Sequence, residues 1–143
     1  MPELTLRAAV NKRYNSIIAR SEAYRIAPPD KELFYQKAET CLLDGFTCYY
    51  CGGKLKITEP YPSLSTFSFD HYLPIVLHGN NAMSNIVICC HSCNIIKGTM
   101  TGDTYKKLLQ YIPVELKNQM FIEIYRGRIA DKIERDQAEK QLV

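Results

Sequence analysis

The chain has 143 residues, 46% of them hydrophobic and 23% charged, which is typical of one globular domain with a modest core. Its formal net charge of +3 permits a polyanionic partner without requiring one. No apolar run reaches the roughly 18 residues of a membrane span, and the polar, arginine-bearing N-terminus is unlike a signal peptide. We therefore expect a soluble, cytoplasmic protein with no membrane partner.

Two helices are predicted in the first third of the chain. The first covers residues 4–26, where apolar residues recur near helical spacing: Leu6, Val10, Ile17 and Ile18. The prolines that follow end it, and Asp30 is a suitable N-cap for a second helix from Lys31 to Asp44, before Gly45. The expected buried stripe of this second helix is Leu33, Phe34, Ala38, Cys41 and Leu42.

The middle of the chain carries short strand patterns and loop residues. Strands are predicted at residues 54–58, 66–69 and 86–89, with a loop at 78–81 and a helix beginning at Cys93 or Asn94. Further on, residues 101–103 are expected to cap a short helix, and Pro113 separates it from a last long helix. The apolar face of that helix is Val114, Leu116, Met120, Phe121, Ile124, Ile129 and Ile133.

Six cysteines without an export signal favour metal binding over disulfides. Four of them form two Cys-x-x-Cys pairs, Cys48 with Cys51 and Cys90 with Cys93, a spacing that lets all four thiolates face one tetrahedral zinc ion. Such a site leaves no open coordination position, so its role would be structural. Two alternatives remain open: four reduced core cysteines, or a site in which Cys89 or His91 replaces one ligand.

The long insert between the cysteine pairs contains Asp70-His71, and Asn94 directly follows the second pair. A carboxylate and an amide oxygen are hard ligands that suit Mg²⁺ or Mn²⁺, and a neutral imidazole accepts a proton near neutral pH. This combination is typical of phosphodiester hydrolysis.

These residues together resemble the zinc-containing branch of the HNH endonucleases, the ββα-metal group. The resemblance covers residues 48–98 and includes the first cysteine pair, Asp-His-x-x-Pro from Asp70 to Pro74, the Asn85-Ile86-Val87-Ile88 segment and Cys-x-x-Cys-Asn-x-x-Lys-Gly from Cys90 to Gly98. It implies an α+β fold in which residues 1–143 form a single domain. Its parts would be N-terminal helices (1–46), a zinc-bound ββα-metal core (47–100) and C-terminal helices (101–143).

The resemblance also implies a role for each residue of the site. His71 would be the general base, while Asp70 and Asn94 would bind the catalytic Mg²⁺ or Mn²⁺. Asn85 would brace the loop that carries the histidine, and Lys97 would contact a phosphate of the nucleic acid. The implied activity is hydrolysis of DNA, with RNA as a second possible substrate, by a protein encoded in a bacterium, an archaeon or a phage.

Several residues also have a plain structural interpretation. Asn94 can be a helix N-cap, Asn85 a turn residue and Lys97 a solvated lysine. The arginines of residues 7–25 and the pair Lys106-Lys107 are candidate phosphate contacts or simply solvated charges.

At the level of the whole chain, two other functions remain open. One is a non-catalytic zinc ribbon that binds nucleic acid. The other is a nuclease subunit active only within a phage or defence assembly. The last helix offers a surface for a homodimer.

Overall fold

The computed structural model describes residues 2–58 and 64–141. Its main elements are α1 (Pro2–Ala23), α2 (Lys31–Leu43), β1 (Phe67–His71), β2 (Ile86–Cys90), α3 (His91–Lys97), α4 (Gly102–Leu109) and α5 (Val114–Gln141). Two short 3-10 turns, Ile75–Leu77 and Met83–Asn85, lie between the strands. Five α-helices around a small antiparallel sheet confirm the predicted α+β class. No helix in the described part of the chain is both long and apolar enough to cross a membrane.

The first two helices form close to where the sequence predicts them. The Asp30 carboxylate caps α2 by accepting from the backbone amides of Glu32 at 2.9 Å and Leu33 at 3.4 Å. The buried stripe of α2 differs from the prediction: Tyr35 is buried, Leu33 is 43% exposed, and Cys41 and Leu42 are only partly buried. Phe34 and Ala38 are fully buried, as expected.

The two strands form one antiparallel pair whose register runs from Phe67 opposite Cys90 to His71 opposite Ile86. The strand predicted at residues 54–58 is wrong. Its segment makes only isolated bridges, Thr47 to Lys54 and Lys56 to Thr66. Because the two bridges use partners from different parts of the chain, no ladder of consecutive pairs develops.

Helix α3 follows β2 without a loop and begins at His91, two or three residues before the predicted start. The reason is the capping chemistry of Cys90, whose Sγ accepts from the backbone amide of Cys93 at 3.4 Å. A thiolate at the N-cap stabilises the first turn as a carboxylate would.

The core draws on every main element. Its fully buried members include Leu6 and Val10 of α1, Phe34 of α2, Phe67 of β1, Ile86 of β2, Tyr105 of α4 and Phe121 of α5. Arg13 ties α1 to the sheet: its Nε donates to the carbonyl of Phe67 at 2.7 Å, and its guanidinium lies 4.0 Å from the centre of that ring. The helices outside the ββα segment are therefore part of the same packed structure.

The predicted apolar face of α5 is largely on the surface. Val114 is 70% exposed, Ile129 42% and Ile133 51%. Within residues 114–141, Phe121 is the buried residue, and its ring packs edge-on against His91 with centroids 5.4 Å apart. Helix α5 thus docks on α3 through the middle of its first half.

Candidate active site and metal centre

The four cysteines of the two predicted pairs come together in space. Their sulfur atoms all lie within 4.8 Å of one another, and the Sγ atoms of Cys51 and Cys90 are 3.8 Å apart. In a tetrahedral zinc site with bonds of about 2.3 Å, neighbouring sulfurs are about 3.8 Å apart. The donor set and its spacing therefore fit one zinc ion. Neither Cys89 nor His91 belongs to this cluster.

Backbone amides donate hydrogen bonds to sulfur atoms of the cluster. Cys48 Sγ accepts from the amide of Cys51 at 3.5 Å, and Cys51 Sγ accepts from the amide of Gly53 at 3.4 Å. A hydrogen bond with Cys48 lowers the pKa of Cys51 and lowers the pKa of Cys90 to about 6. The hydrogen bond with Cys51 raises the pKa of Cys48, and the hydrogen bond with Cys48 raises the pKa of Cys93. Without a metal ion the negative charge is therefore concentrated on Cys51 and Cys90, and binding of zinc would have to release the protons of the other two thiols.

A lysine stands beside the sulfur cluster. Lys117 Nζ donates to Cys90 Sγ at 3.6 Å. Burial opposes its charge, yet the nearby thiolates of Cys90 and Cys93 raise the pKa of Lys117 overall. The lysine offsets part of the excess negative charge that four thiolates leave after binding one divalent ion.

The second group of predicted residues lines one cavity of about 320 Å³. Asp70, His71, Asn94 and Lys97 all belong to its wall. A larger groove of about 960 Å³ lies between α2 and β2, but it contains none of these four side chains. The smaller cavity is the candidate active site because the chemically competent groups converge there.

Asp70 lies at the end of β1 and is 7% exposed. The Tyr50 hydroxyl donates to its Oδ2 at 2.6 Å, and Lys97 Nζ lies 3.2 Å from the same oxygen. Burial, followed by the hydrogen bond to Asp70, raises the pKa of Tyr50, so the phenol remains a neutral donor. The carboxylate is thus held in place by one neutral and one charged donor.

For Lys97 the sequence leaves open a phosphate contact and a solvated lysine, and the second interpretation is wrong. Its side chain is buried, and Nζ also donates to the backbone carbonyl of His71 at 3.1 Å. Helix α3 places this lysine beneath the strand end because Ile95 and Ile96 bury the same short helix against the sheet. The ammonium is therefore committed to Asp70 and His71 within this structure.

His71 belongs to a chain of hydrogen bonds that reaches α1. Its Nε2 lies 2.7 Å from Oδ1 of Asn81, whose amide nitrogen donates to Ser21 Oγ and to the carbonyl of Ala27, both at 2.8 Å. Ser21 in turn donates its hydroxyl to the carbonyl of Ile17 at 2.7 Å.

The direction of this chain determines the tautomer of His71. Ser21 has used its only proton on Ile17, so it must accept from Asn81, and the Ala27 carbonyl accepts as well. The Asn81 oxygen therefore faces the imidazole and accepts from Nε2–H, which leaves the lone pair on Nδ1. Burial lowers the pKa of His71, an effect that the hydrogen bond to Asn81 opposes, and the ring is neutral at physiological pH.

The side chains of Asn85 and Asn94 differ in their hydrogen bonding. Asn85 Oδ1 accepts from the amide of Leu73 at 2.8 Å, while its Nδ2 donates to the carbonyls of Leu73 at 3.0 Å and Asn80 at 2.9 Å. These bonds close the loop that follows His71. The side-chain amide of Asn94 makes no hydrogen bond to the described residues, so its oxygen is available to a cation. With Asp70 across the same cavity, two hard oxygen donors fit Mg²⁺ or Mn²⁺, although Lys97 competes for the carboxylate.

Two functional contacts were not predicted from the sequence. Tyr50 lies between the two cysteines of the first pair, where the sequence indicates only a turn of the zinc site. For Asn81 the sequence indicates only a loop residue. For Asn81 the repeated Asn80-Asn81 after Gly79 was the available signal, but nothing in the pattern distinguishes the residue that contacts His71. The contact of Tyr50 with Asp70 spans 20 residues and that of Asn81 with His71 spans 10, so neither belongs to a local motif.

An antiparallel strand pair runs directly into a helix, with an acid and a histidine at the strand end and a four-cysteine cluster beside it. This arrangement is consistent with the ββα-metal fold. Residues 48–102 match a family model described as HNH endonuclease. This segment is similar to the HNH endonucleases, and its clustered cysteines fit a zinc-binding variant of them. A comparison with curated proteins found no match.

Proposed function

We propose that this protein is a metal-dependent endonuclease that hydrolyses DNA phosphodiester bonds with His71 as the general base. The family supports nuclease activity on nucleic acid in general. The observation that carries the finer proposal is the Ser21–Asn81–His71 chain, because it leaves Nδ1 of a buried, neutral imidazole free to accept a proton.

In the proposed reaction, His71 Nδ1 removes a proton from a water molecule as that water attacks the phosphorus. The P–O3′ bond breaks and the leaving 3′ oxygen takes a proton from solvent water, so the products carry a 5′-phosphate and a 3′-hydroxyl group. Asp70 and Asn94 would hold a Mg²⁺ or Mn²⁺ ion, which would supply Lewis-acid stabilisation of the phosphate and of the leaving oxygen. Asn81 holds the imidazole in the required tautomer, and Asn85 holds the loop on which the imidazole depends.

The zinc ion bound by Cys48, Cys51, Cys90 and Cys93 is proposed to be structural. Cys93 is followed directly by Asn94, so the ion would fix the start of α3 and with it the position of a catalytic ligand. Four thiolates leave no coordination site for water, which separates this ion from the chemistry.

The test is cleavage of supercoiled plasmid in Mg²⁺ by the wild-type protein, by His71→Ala and by His78→Ala. His78 is exposed at the end of the 3-10 turn Ile75–Leu77 and does not itself line the cavity, so it serves as the matched control. We expect His71→Ala to cleave the plasmid about 100-fold or more slowly than the wild type, because a general base raises the rate about 10²- to 10⁴-fold. His78→Ala should retain it. Equal cleavage by wild type and His71→Ala would overturn the assignment, and binding without any cleavage would favour the non-catalytic zinc module.

A further inference from the structure

The flanking helices α1 and α5 add positive charge to the candidate active site. Lys97 and Asp70 form a buried ion pair, so their charges cancel within the cavity wall. Two more cations line the same cavity, Arg20 near the C-terminal end of α1 and Arg128 in the middle of α5. The cavity therefore carries excess positive charge at its mouth.

Neither arginine forms an ion pair with a described residue, although Arg128 also borders a second cavity whose lining includes Asp131 and Glu134. Within residues 2–58 and 64–141, no carboxylate lies within ion-pair distance of Arg20 or Arg128, and both side chains are exposed. The other two arginines of α1 differ in this respect. Arg7 pairs with Glu32 at 3.6 Å, and Arg13 donates to backbone carbonyls of the sheet and of its own helix.

The position of Arg20 is tied to the catalytic geometry. The next residue, Ser21, accepts the hydrogen bond from Asn81 that orients His71. The same helical turn therefore supports the proposed base and presents a guanidinium to the cavity. Arg128 approaches from α5, whose docking on α3 is secured by the buried Phe121 two turns earlier.

We propose that Arg20 and Arg128 form a clamp for the phosphate backbone of the nucleic acid, holding the strand from both flanking helices across the site. A guanidinium group presents two parallel N–H donors that match the oxygens of a phosphate. Two guanidinium groups without an ion-pair partner, at a cavity of this size, fit one or two backbone phosphates. Both residues lie outside the segment that matches the family model. The clamp rests on the proposed function for its ligand, but its binding does not depend on cleavage.

The clamp is tested by fluorescence anisotropy with a labelled DNA duplex, using the full chain without added Mg²⁺ at several salt concentrations. The variants are Arg20→Gln, Arg128→Gln and the double substitution. Lys12→Gln on α1 and Arg126→Gln on α5 are matched controls, because both are exposed cations that do not line the cavity. Zinc content and circular dichroism show that each variant is folded.

We expect each clamp variant to weaken binding about 5-fold or more and to reduce the slope of log Kd against log salt by about 0.9, the value for one lost phosphate contact. The two controls should change affinity by less than about 2-fold at the same salt concentration. Clamp variants and controls that weaken binding equally would overturn the clamp.

The same variants distinguish a failure of the clamp hypothesis from a failure of the proposed nuclease function. Cleavage of plasmid with unchanged KM in the double variant would refute the clamp and leave the nuclease assignment intact. Arginine-dependent binding by a protein that never cleaves would refute the nuclease assignment and leave the clamp intact.

Discussion

At the scale of single residues, the pairing of Lys97 with Asp70 is the main departure from what the sequence suggests. A lysine near the end of a short polar-looking helix is ordinarily solvated, yet this one is 1% exposed and bonds both a carboxylate and a backbone carbonyl. The proposed phosphate contact of Lys97 remains a prediction, but this arrangement favours a role in holding Asp70. The positive charge also means that a divalent cation at Asp70 must displace or repel the ammonium.

The first prediction concerns this ion pair. Lys97→Gln should lower the free energy of unfolding by about 3 to 5 kcal/mol, because it leaves a buried carboxylate without its charged partner. Urea denaturation followed by circular dichroism measures the change. Mg²⁺ should raise the melting temperature of Lys97→Gln more than that of the wild type, since the ion then replaces the missing charge. An equal Mg²⁺ effect in both proteins would show that Asp70 does not bind the ion.

The second prediction concerns Asn81. Asn81→Ala removes the acceptor for His71 Nε2, so the imidazole loses both its orientation and its preferred tautomer. We expect kcat to fall about 10- to 100-fold, a part of what a general base contributes, with KM within 2-fold of the wild type. The neighbouring Asn80→Ala is the control, because the Asn80 side chain caps Ala82 and does not touch His71. If Asn81→Ala changed only KM and left kcat at the wild-type value, a positioning role for Asn81 would be wrong.

At the scale of secondary-structure elements, the junction of β2 and α3 matters most. Cys90 ends the strand, caps the helix and belongs to the sulfur cluster, so one residue links the sheet, the helix that carries Asn94 and the proposed zinc. The first cysteine pair is attached to the same strand, because the amide of Tyr49 donates to the carbonyl of Ile88 at 2.9 Å. Zinc would therefore couple these elements rather than stabilise one of them.

The third prediction follows from this junction. Cys90→Ser should lose stoichiometric zinc and cooperative folding, because a structural zinc site contributes on the order of 10 kcal/mol to the folding of a small domain. Cys41→Ser is the matched control, since Cys41 lies outside the cluster. Zinc content and near-UV circular dichroism of both proteins measure the effect. A folded, zinc-free Cys90→Ser protein would show that the cluster does not hold the fold together.

At the scale of the whole molecule, the flanking helices complete both the core and the site. Leu6, Phe34 and Phe121 pack in the same core cluster as the two strands, and Ser21 and Ala27 anchor the hydrogen-bond chain of His71. A fragment limited to the family segment would lose all of these contacts. The assignment of residues 1–143 to a single domain is still a prediction, and so are the cytoplasmic location and the oligomeric state.

The fourth prediction tests the single domain. Unfolding of the zinc-loaded full chain in guanidinium should follow one transition, with coincident curves from tyrosine fluorescence and far-UV circular dichroism. The reason is that no element buries its apolar face without the others. Two separated transitions would show that the flanking helices form an independent unit. Native mass spectrometry of the same sample determines whether the exposed apolar residues of α5 mediate a dimer or bind a larger assembly.

Local chemistry determined much of this protein from the sequence alone. Asp30 as a helix cap, the two cysteine pairs and the α+β class depend on spacing over a few residues, which sequence patterns record directly. Local patterns failed where pairing decides the outcome, as at residues 54–58, where a strand pattern found no continuous partner.

Only the tertiary structure decided which polar groups meet. The bonds from Asn81 to Ser21, from Tyr50 to Asp70 and from Lys97 to Asp70 join positions distant in the chain, and the sequence carries no periodic signal for them. The same is true of Arg20 and Arg128, which line one cavity although α1 and α5 are the first and last helices of the chain. Residue types thus specified the chemistry that is available, while packing of the helices determined where each charge and each proton acceptor lies.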